Sequence, residues 1–234
     1  MSQFVVHLHT HSHYSLLAAL PKVPDLVAAA KADGMKALAL TDNGNLYGAI
    51  EFYKECRAAD IKPIIGVDFY LAPRTRFDKE MGIDSRHFRL VLLSKNMAGY
   101  KNLLKLVTVS HLEGFWGKPR IDKEILSAHK DGLIAIIPIH GGETNDALRN
   151  SNFEKANEIV SFYKKLFAED CYLEITYHPE IENHQALLEN ISRLSRESGV
   201  ELVASQEVFY IKPEDKKVWQ VLRSIQGNDD YSAA

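Results

Sequence analysis

Short apolar, β-rich runs alternate along this chain with stretches whose apolar residues recur three and four apart. That alternation constrains the fold more than any other feature. The runs cover residues 4–9, 37–41, 62–71, 88–94, 133–139, 171–177 and 200–205. Each is rich in Val, Ile, Leu, Phe or Tyr, as strands buried on both faces are. Helical patterns follow over residues 24–32, 46–59, 98–112, 123–129, 152–167, 180–198 and 213–225. Asp33-Gly34 stops the first helix, and Asn45 is placed to cap the second. Seven strand-then-helix units in 234 residues predict an α/β fold with a parallel sheet and outer helices. The even spacing favours a seven-stranded barrel over an open doubly wound sheet. One domain is expected over residues 1–230, with 231–234 as its edge. The polar stretch 74–86 breaks the rhythm and reads as an exposed excursion.

Composition narrows the function. The chain is 46% hydrophobic and 25% charged, the balance of a globular protein. Two cysteines, Cys56 and Cys171, are too few for a disulfide framework or a thiolate zinc site. No apolar run approaches the roughly 18 residues of a membrane span, and the first residues do not resemble a signal peptide. The expected location is therefore the cytoplasm, with no membrane partner. A formal net charge of −3 lacks the basic excess of an autonomous nucleic-acid binder. Arg74, Arg76, Lys79, Arg86 and Arg89 form a local basic cluster, but Asp78, Glu80 and Asp84 interrupt it, so it reads as a solvated loop. No Gly-x-Gly-x-x-Gly follows the first run, which counts against dinucleotide binding.

In a barrel of this kind chemistry collects where strands end and loops begin. The first run exits through His7-Leu8-His9-Thr10-His11-Ser12-His13, and alternation puts His7, His9 and His11 on one face. Later exits carry Thr41-Asp42-Asn43-Gly44, His140-Gly141-Gly142, Glu174 to His178, and Gln206-Glu207. Asp68 lies within the third run. Imidazoles and carboxylates converging on one mouth suit Zn²⁺, Mn²⁺ or Fe²⁺, and a bound hydroxide would then attack a phosphate ester. His13 and His178, taken alone, read as ordinary hydrogen-bonded residues.

The stretch from His7 to Leu17, His-Leu-His-Thr-His-Ser-His-Tyr-Ser-Leu-Leu, resembles the opening of the bacterial DNA polymerase III alpha subunits, a polymerase and histidinol phosphatase (PHP) domain. Thr41 to Ala49, Ile61 to Tyr70, Gly99-Tyr100-Lys101-Asn102-Leu103 and Lys118-Pro119-Arg120-Ile121-Asp122 fit the same branch. The resemblance runs from Phe4 to about Ile225. It implies a seven-stranded β/α barrel that forms the N-terminal part of a much longer chain.

The same resemblance implies a metal cluster, of which this sequence keeps only part. His9, His11, Asp68, His87, His140 and Glu207 are the candidate ligands. Asp68 stands where a glutamate is usual and His140 where cysteine is frequent. His87 sits at a strand start, away from the expected mouth. Ala18, Asn43 and Phe209 replace a carboxylate and two imidazoles, so the full cluster is not expected to assemble. Either one Zn²⁺ or Mn²⁺ binds, at partial occupancy, or no ion does. No catalytic residue is assigned. The principal reading is a structural domain in DNA replication that braces the polymerase body and docks a proofreading exonuclease. The alternatives are an active metal-dependent phosphoesterase or 3′–5′ exonuclease, and a free-standing histidinol-phosphatase-like enzyme. Polymerisation itself, with its Mg²⁺ and its DNA, is expected in a palm domain outside this chain.

Overall fold

The computed structural model describes residues 5–227. The 231–234 segment lies outside the described residues. They divide into two units, one built from residues up to Val67 together with those from Gln206 on, the other from Asp68–Ser205. No described helix is long and apolar enough to cross a membrane.

The first unit contains helix α1 (Val23–Ala32), strand β1 (Ala37–Leu40), helix α2 (Ala49–Ala58), the start of strand β2 (Lys62–Leu71) and a late helix whose described span is Lys216–Gly227. Helix α1 buries Val23, Leu26, Val27 and Ala30, the spacing of one helical face. Pro24 opens it, and Gly34, at φ +72°, follows its end. These residues pack with Leu38, Leu40, Phe52, Cys56 and Ile61 into one core. Burying Phe52 alone contributes about 2–3 kcal/mol. Strand β1 runs parallel to β2, from Ala37 opposite Lys62 to Leu40 opposite Ile65.

The first expected strand differs. Residues 5–9 are extended but form no regular ladder; only Thr10 bridges, to Val208. The segment is nonetheless held on both sides. Ala39 N–H donates to the His7 carbonyl, Thr41 N–H to that of Thr10, and Val208 N–H to that of His9. Asn45 does not cap α2 either. Gly48 occupies that position, and the Asn45 amide instead bonds the carbonyls of Tyr14 and Asn43.

The second unit continues β2 and adds β3 (Phe88–Ser94), α3 (Met97–Leu112), β4 (Arg120–Ile121), α4 (Lys123–Ala128), β5 (Leu133–Ile137), α5 (Glu143–Arg149), α6 (Phe153–Phe167), β6 (Cys171–Ile175), α7 (His184–Ser198) and β7 (Glu201–Ala204). With α1 and α2, the late helix is α8. The strands neighbour one another in the order β2-β3-β5-β6-β7, with β4 on β2. Helix α5 and strand β4 are too short to show a period in the sequence.

The sheet is mixed rather than parallel. Strand β3 runs antiparallel to β5, Val91 opposite Ile136 and Ser94 opposite Leu133. The start of β3 therefore lies beside the C-terminal end of β5, and Arg89 N–H donates to the Gly141 carbonyl at 2.9 Å. This overturns the expectation that His87 sits at the wrong end of its strand.

The Gly99-Tyr100-Lys101-Asn102-Leu103 motif has a packing reason. A Cβ on Gly99 would stand 1.8 Å from the Gly132 carbonyl oxygen, so only glycine lets α3 approach that turn. Asn96 caps α3 by accepting from Gly99 N–H, and the Asn102 amide donates to the Asp131 carbonyl.

The excursion over 74–86 is not simply solvated. Arg120 is fully buried beneath it, and its guanidinium donates to the carbonyls of Gly114, Asp84 and Asp78 at 2.9–3.0 Å and of Arg76 at 3.4 Å. Asp84, also buried, pairs with Arg74, and Arg76 pairs with Asp122 and Glu113. Hydrogen bonding from Arg74 holds the Asp84 carboxyl below its ordinary value of 3.8. A carboxyl depressed on folding adds stability above its unfolded value and loses it as pH falls through its folded value. Amide protection factors over residues 74–86 are accordingly expected to fall on acidification below about pH 4, ahead of those in α3. Arg120→Met should cost about 3 kcal/mol in urea unfolding, because four carbonyls lose a charged donor. A loss within experimental error would show that the loop does not depend on this residue.

Candidate functional site

In the first unit the polar residues after His7 are gathered by one carboxylate. Asp42, just after β1, is buried and accepts from Ser12 N–H at 2.7 Å, Ser12 Oγ at 2.8 Å and Ser15 Oγ at 2.6 Å. A buried carboxylate is tolerated when donors saturate it in this way. These bonds fold residues 10–15 into a turn and set the direction of His9 and His11, both fully buried. The two imidazoles stand 5.1 Å apart between centroids. Glu207 reaches the same place from the other end of the chain, with its carboxylate 3.8 Å from His9 Nε2 and 3.6 Å from His11 Nε2.

This spacing fits one metal ion. Two donors each about 2.1 Å from a tetrahedral ion stand about 3.4 Å apart. His9, His11 and Glu207 offer ligand atoms within 4.8 Å of one another. A small rearrangement would bring all three onto one cation, with two neutral imidazoles and one carboxylate as donors.

The three substituted positions hold other groups in place. Phe209 stacks on His11 with centroids 4.6 Å apart and planes 4° from parallel, and its other neighbour is Trp219 at 5.7 Å. The indole of Trp219 donates to the Ala18 carbonyl at 2.8 Å. Asn43 N–H donates to Ser15 Oγ at 3.0 Å, which links it to Asp42. Each position where the family resemblance implies a ligand thus carries a packing or backbone contact.

The remaining candidates lie in the second unit. Asp68 is buried on β2 and receives the Arg89 guanidinium. His87 meets the Tyr70 ring edge-on at 4.8 Å. His140 lies beside His184 and His178, at ring distances of 5.8 and 6.2 Å. Among the described residues neither His87 nor His140 joins a group of three metal-capable side chains. His178 pairs with Glu180, and His13 packs on Tyr14.

Sequence reasoning passed over two residues that shape these surroundings. Asp42 was visible as part of Thr41-Asp42, and Ser12 and Ser15 flank the histidines, but nothing in their spacing pairs them. Arg89 was counted with the basic loop cluster. Four members of that cluster are engaged by carboxylates: Arg74 by Asp84, Arg76 by Asp122, Arg86 by Asp146 and Arg89 by Asp68.

Comparison with known proteins bears on the whole chain. The family described as PHP domain matches residues 7–178. The chain is 42% identical over 221 residues to the DNA polymerase III subunit alpha of Borreliella burgdorferi, covering 94% of this chain and 19% of that protein. It is 37% identical to the subunit of the same name from Aquifex aeolicus, covering 97% and 20%. The chain thus spans about a fifth of the length of these relatives. Among solved structures it is similar to a protein from Bifidobacterium adolescentis assigned as a metal-dependent phosphoesterase, with TM-score 0.58, 11% identity and coverage of 91% and 90%. An amidohydrolase from Chromobacterium violaceum gives TM-score 0.51, 13% identity and coverage of 90% and 89%. These likenesses bear out the α/β fold expected from the sequence.

Removing one partner of a buried ion pair leaves an uncompensated charge, at a cost of about 3–5 kcal/mol. Arg89→Met is therefore expected to destabilise the chain by about that amount in urea unfolding, and Arg89→Met with Asp68→Asn to recover most of it. Equal losses in the single and double variants would show that the pair is not the source.

Proposed function

Because the chain belongs to the PHP domain family, we propose that it is the PHP domain of a replicative bacterial DNA polymerase, that its role there is mainly structural, and that it holds at most one metal ion. What carries this reading is the use made of the three substituted positions. Phe209 stacks its ring on His11, and Asn43 and Ala18 offer only a neutral amide and a methyl group, where a multi-metal centre would need charged or imidazole donors. Closely spaced cations repel one another, and only added ligand charge offsets that. With one carboxylate and two imidazoles, the first unit has charge for one ion and not for three. Asp68, the further candidate in the second unit, is paired with Arg89, which supplies positive charge to it already and so opposes metal binding.

In this reading the polymerase reaction, its Mg²⁺ and its DNA belong to the rest of the alpha chain, about four fifths of the relatives' length. The domain would brace that body in the cytoplasm and offer a face to a proofreading exonuclease subunit.

The second reading is a metal-dependent phosphoesterase or 3′–5′ exonuclease. It is favoured by His9, His11 and Glu207 standing at nearly ligand-to-ligand spacing. A metal bound there would act as a Lewis acid and lower the pKa of a bound water. The chain's own contribution would be to orient the two imidazoles through the Asp42-centred turn and to exclude bulk water around them.

Metal content after brief Zn²⁺ or Mn²⁺ loading, read with thermal unfolding and DNA trimming, separates the two. The structural reading expects well under one ion per chain, no trimming, and a melting temperature unmoved by EDTA. One firmly held ion, lost in a His9→Ala variant that still folds, together with Mn²⁺-stimulated trimming, would overturn it in favour of the enzyme.

A further inference from the structure

The second unit has a polar cleft that the metal-site reading does not use. It encloses about 510 Å³ between the start of β3 and helix α5, within the size range of small-ligand sites. Arg86 and His87 line one wall, Asn145, Asp146 and Arg149 the other, and Gly141 the floor. The antiparallel pairing of β3 with β5 creates this juxtaposition, because it brings residues 86–88 against the chain that leaves β5.

The charges in the cleft do not cancel. Asp146 is its acid, and Arg86 engages it. That pair is neutral as a unit. Arg149 has no carboxylate partner among the described residues and is exposed. Asn145, four residues earlier on the same helix face, is only 7% exposed, yet its amide makes no hydrogen bond to any described residue. The amide lines the cleft with its polar atoms accessible, so a ligand there could replace water on it.

We propose that this cleft is a binding site for a phosphate-type oxyanion, held by the Arg149 guanidinium and the Asn145 amide, with Arg86 at its rim. The planar guanidinium fork matches phosphate oxygens, and the carboxamide N–H₂ adds a neutral donor beside it. The anion would leave Arg86 shared between Asp146 and the ligand. The three residues that would hold the anion, Arg149, Asn145 and Arg86, are none of the candidate metal ligands, although His87 also lines the cleft.

Pyrophosphate titrated into the 234-residue chain is the test, read by NMR at the Asn145 side-chain amide and the Arg149 Nε–H. Saturable shifts at both groups are expected. Arg149→Glu should weaken binding about tenfold or more. Lys105→Glu, the same charge change on an exposed face of α3, should leave it unchanged. A 5′-phosphorylated trinucleotide identifies the source. If it displaces pyrophosphate from the same resonances, the phosphate is that of a nucleic-acid strand; if only pyrophosphate shifts them, the ligand is a free phosphate compound. Shifts that do not saturate, or equal weakening by Arg149→Glu and Lys105→Glu, would overturn the proposal. Far-UV circular dichroism confirms that both variants fold.

Discussion

The Asp42 carboxylate, buried behind β1, organises the first unit. It accepts from Ser12 and Ser15 three times, and through them it fixes the turn that carries His9 and His11. The histidines sit on a segment that forms no regular strand and is otherwise held only by a few backbone hydrogen bonds. A carboxylate in a low-dielectric setting holds its donors strongly, and those donors in turn remove most of its desolvation cost. The turn is therefore rigid for electrostatic reasons, whether or not an ion binds beside it.

The second unit solves a related problem with arginines. Arg120 is buried under the loop that follows β2 and satisfies carbonyls rather than an acid. Arg76 and Arg89 each neutralise a buried carboxylate, Asp122 and Asp68. Such pairs cost desolvation energy, and hydrophobic replacements are often as stable. What they provide here is placement. Arg120 determines where an irregular loop lies, and Arg89 commits Asp68 to a guanidinium.

One position where the family resemblance implies an imidazole carries aromatic packing instead. Phe209 lies flat on His11 and continues to Trp219, whose indole closes onto the Ala18 carbonyl. An aromatic stack of this kind contributes area burial plus a modest specific attraction. It binds the carbonyl of one substituted position to the ring of another.

Much of this was legible in the sequence. Strands β2 and β3 fall on the expected residues because buried runs of Val, Ile, Leu and Phe bounded by turn signals are unambiguous. The His-x-His pair and Glu207 were identified as partners, since motif chemistry depends on residue type and spacing. Helix α5 and strand β4 were not, because seven and two residues carry no period. The direction of β3 was also hidden, because an apolar run reads the same whichever way its neighbour points. Which arginine meets which carboxylate, and whether Asn45 caps a helix or bonds two carbonyls, depend on chains far apart in sequence. Residue type and order therefore determined the family, the elements and the stock of donors. Only the tertiary structure decided which donors converge, because hydrogen bonds and ion pairs act over a few ångströms and sequence distance does not measure that separation.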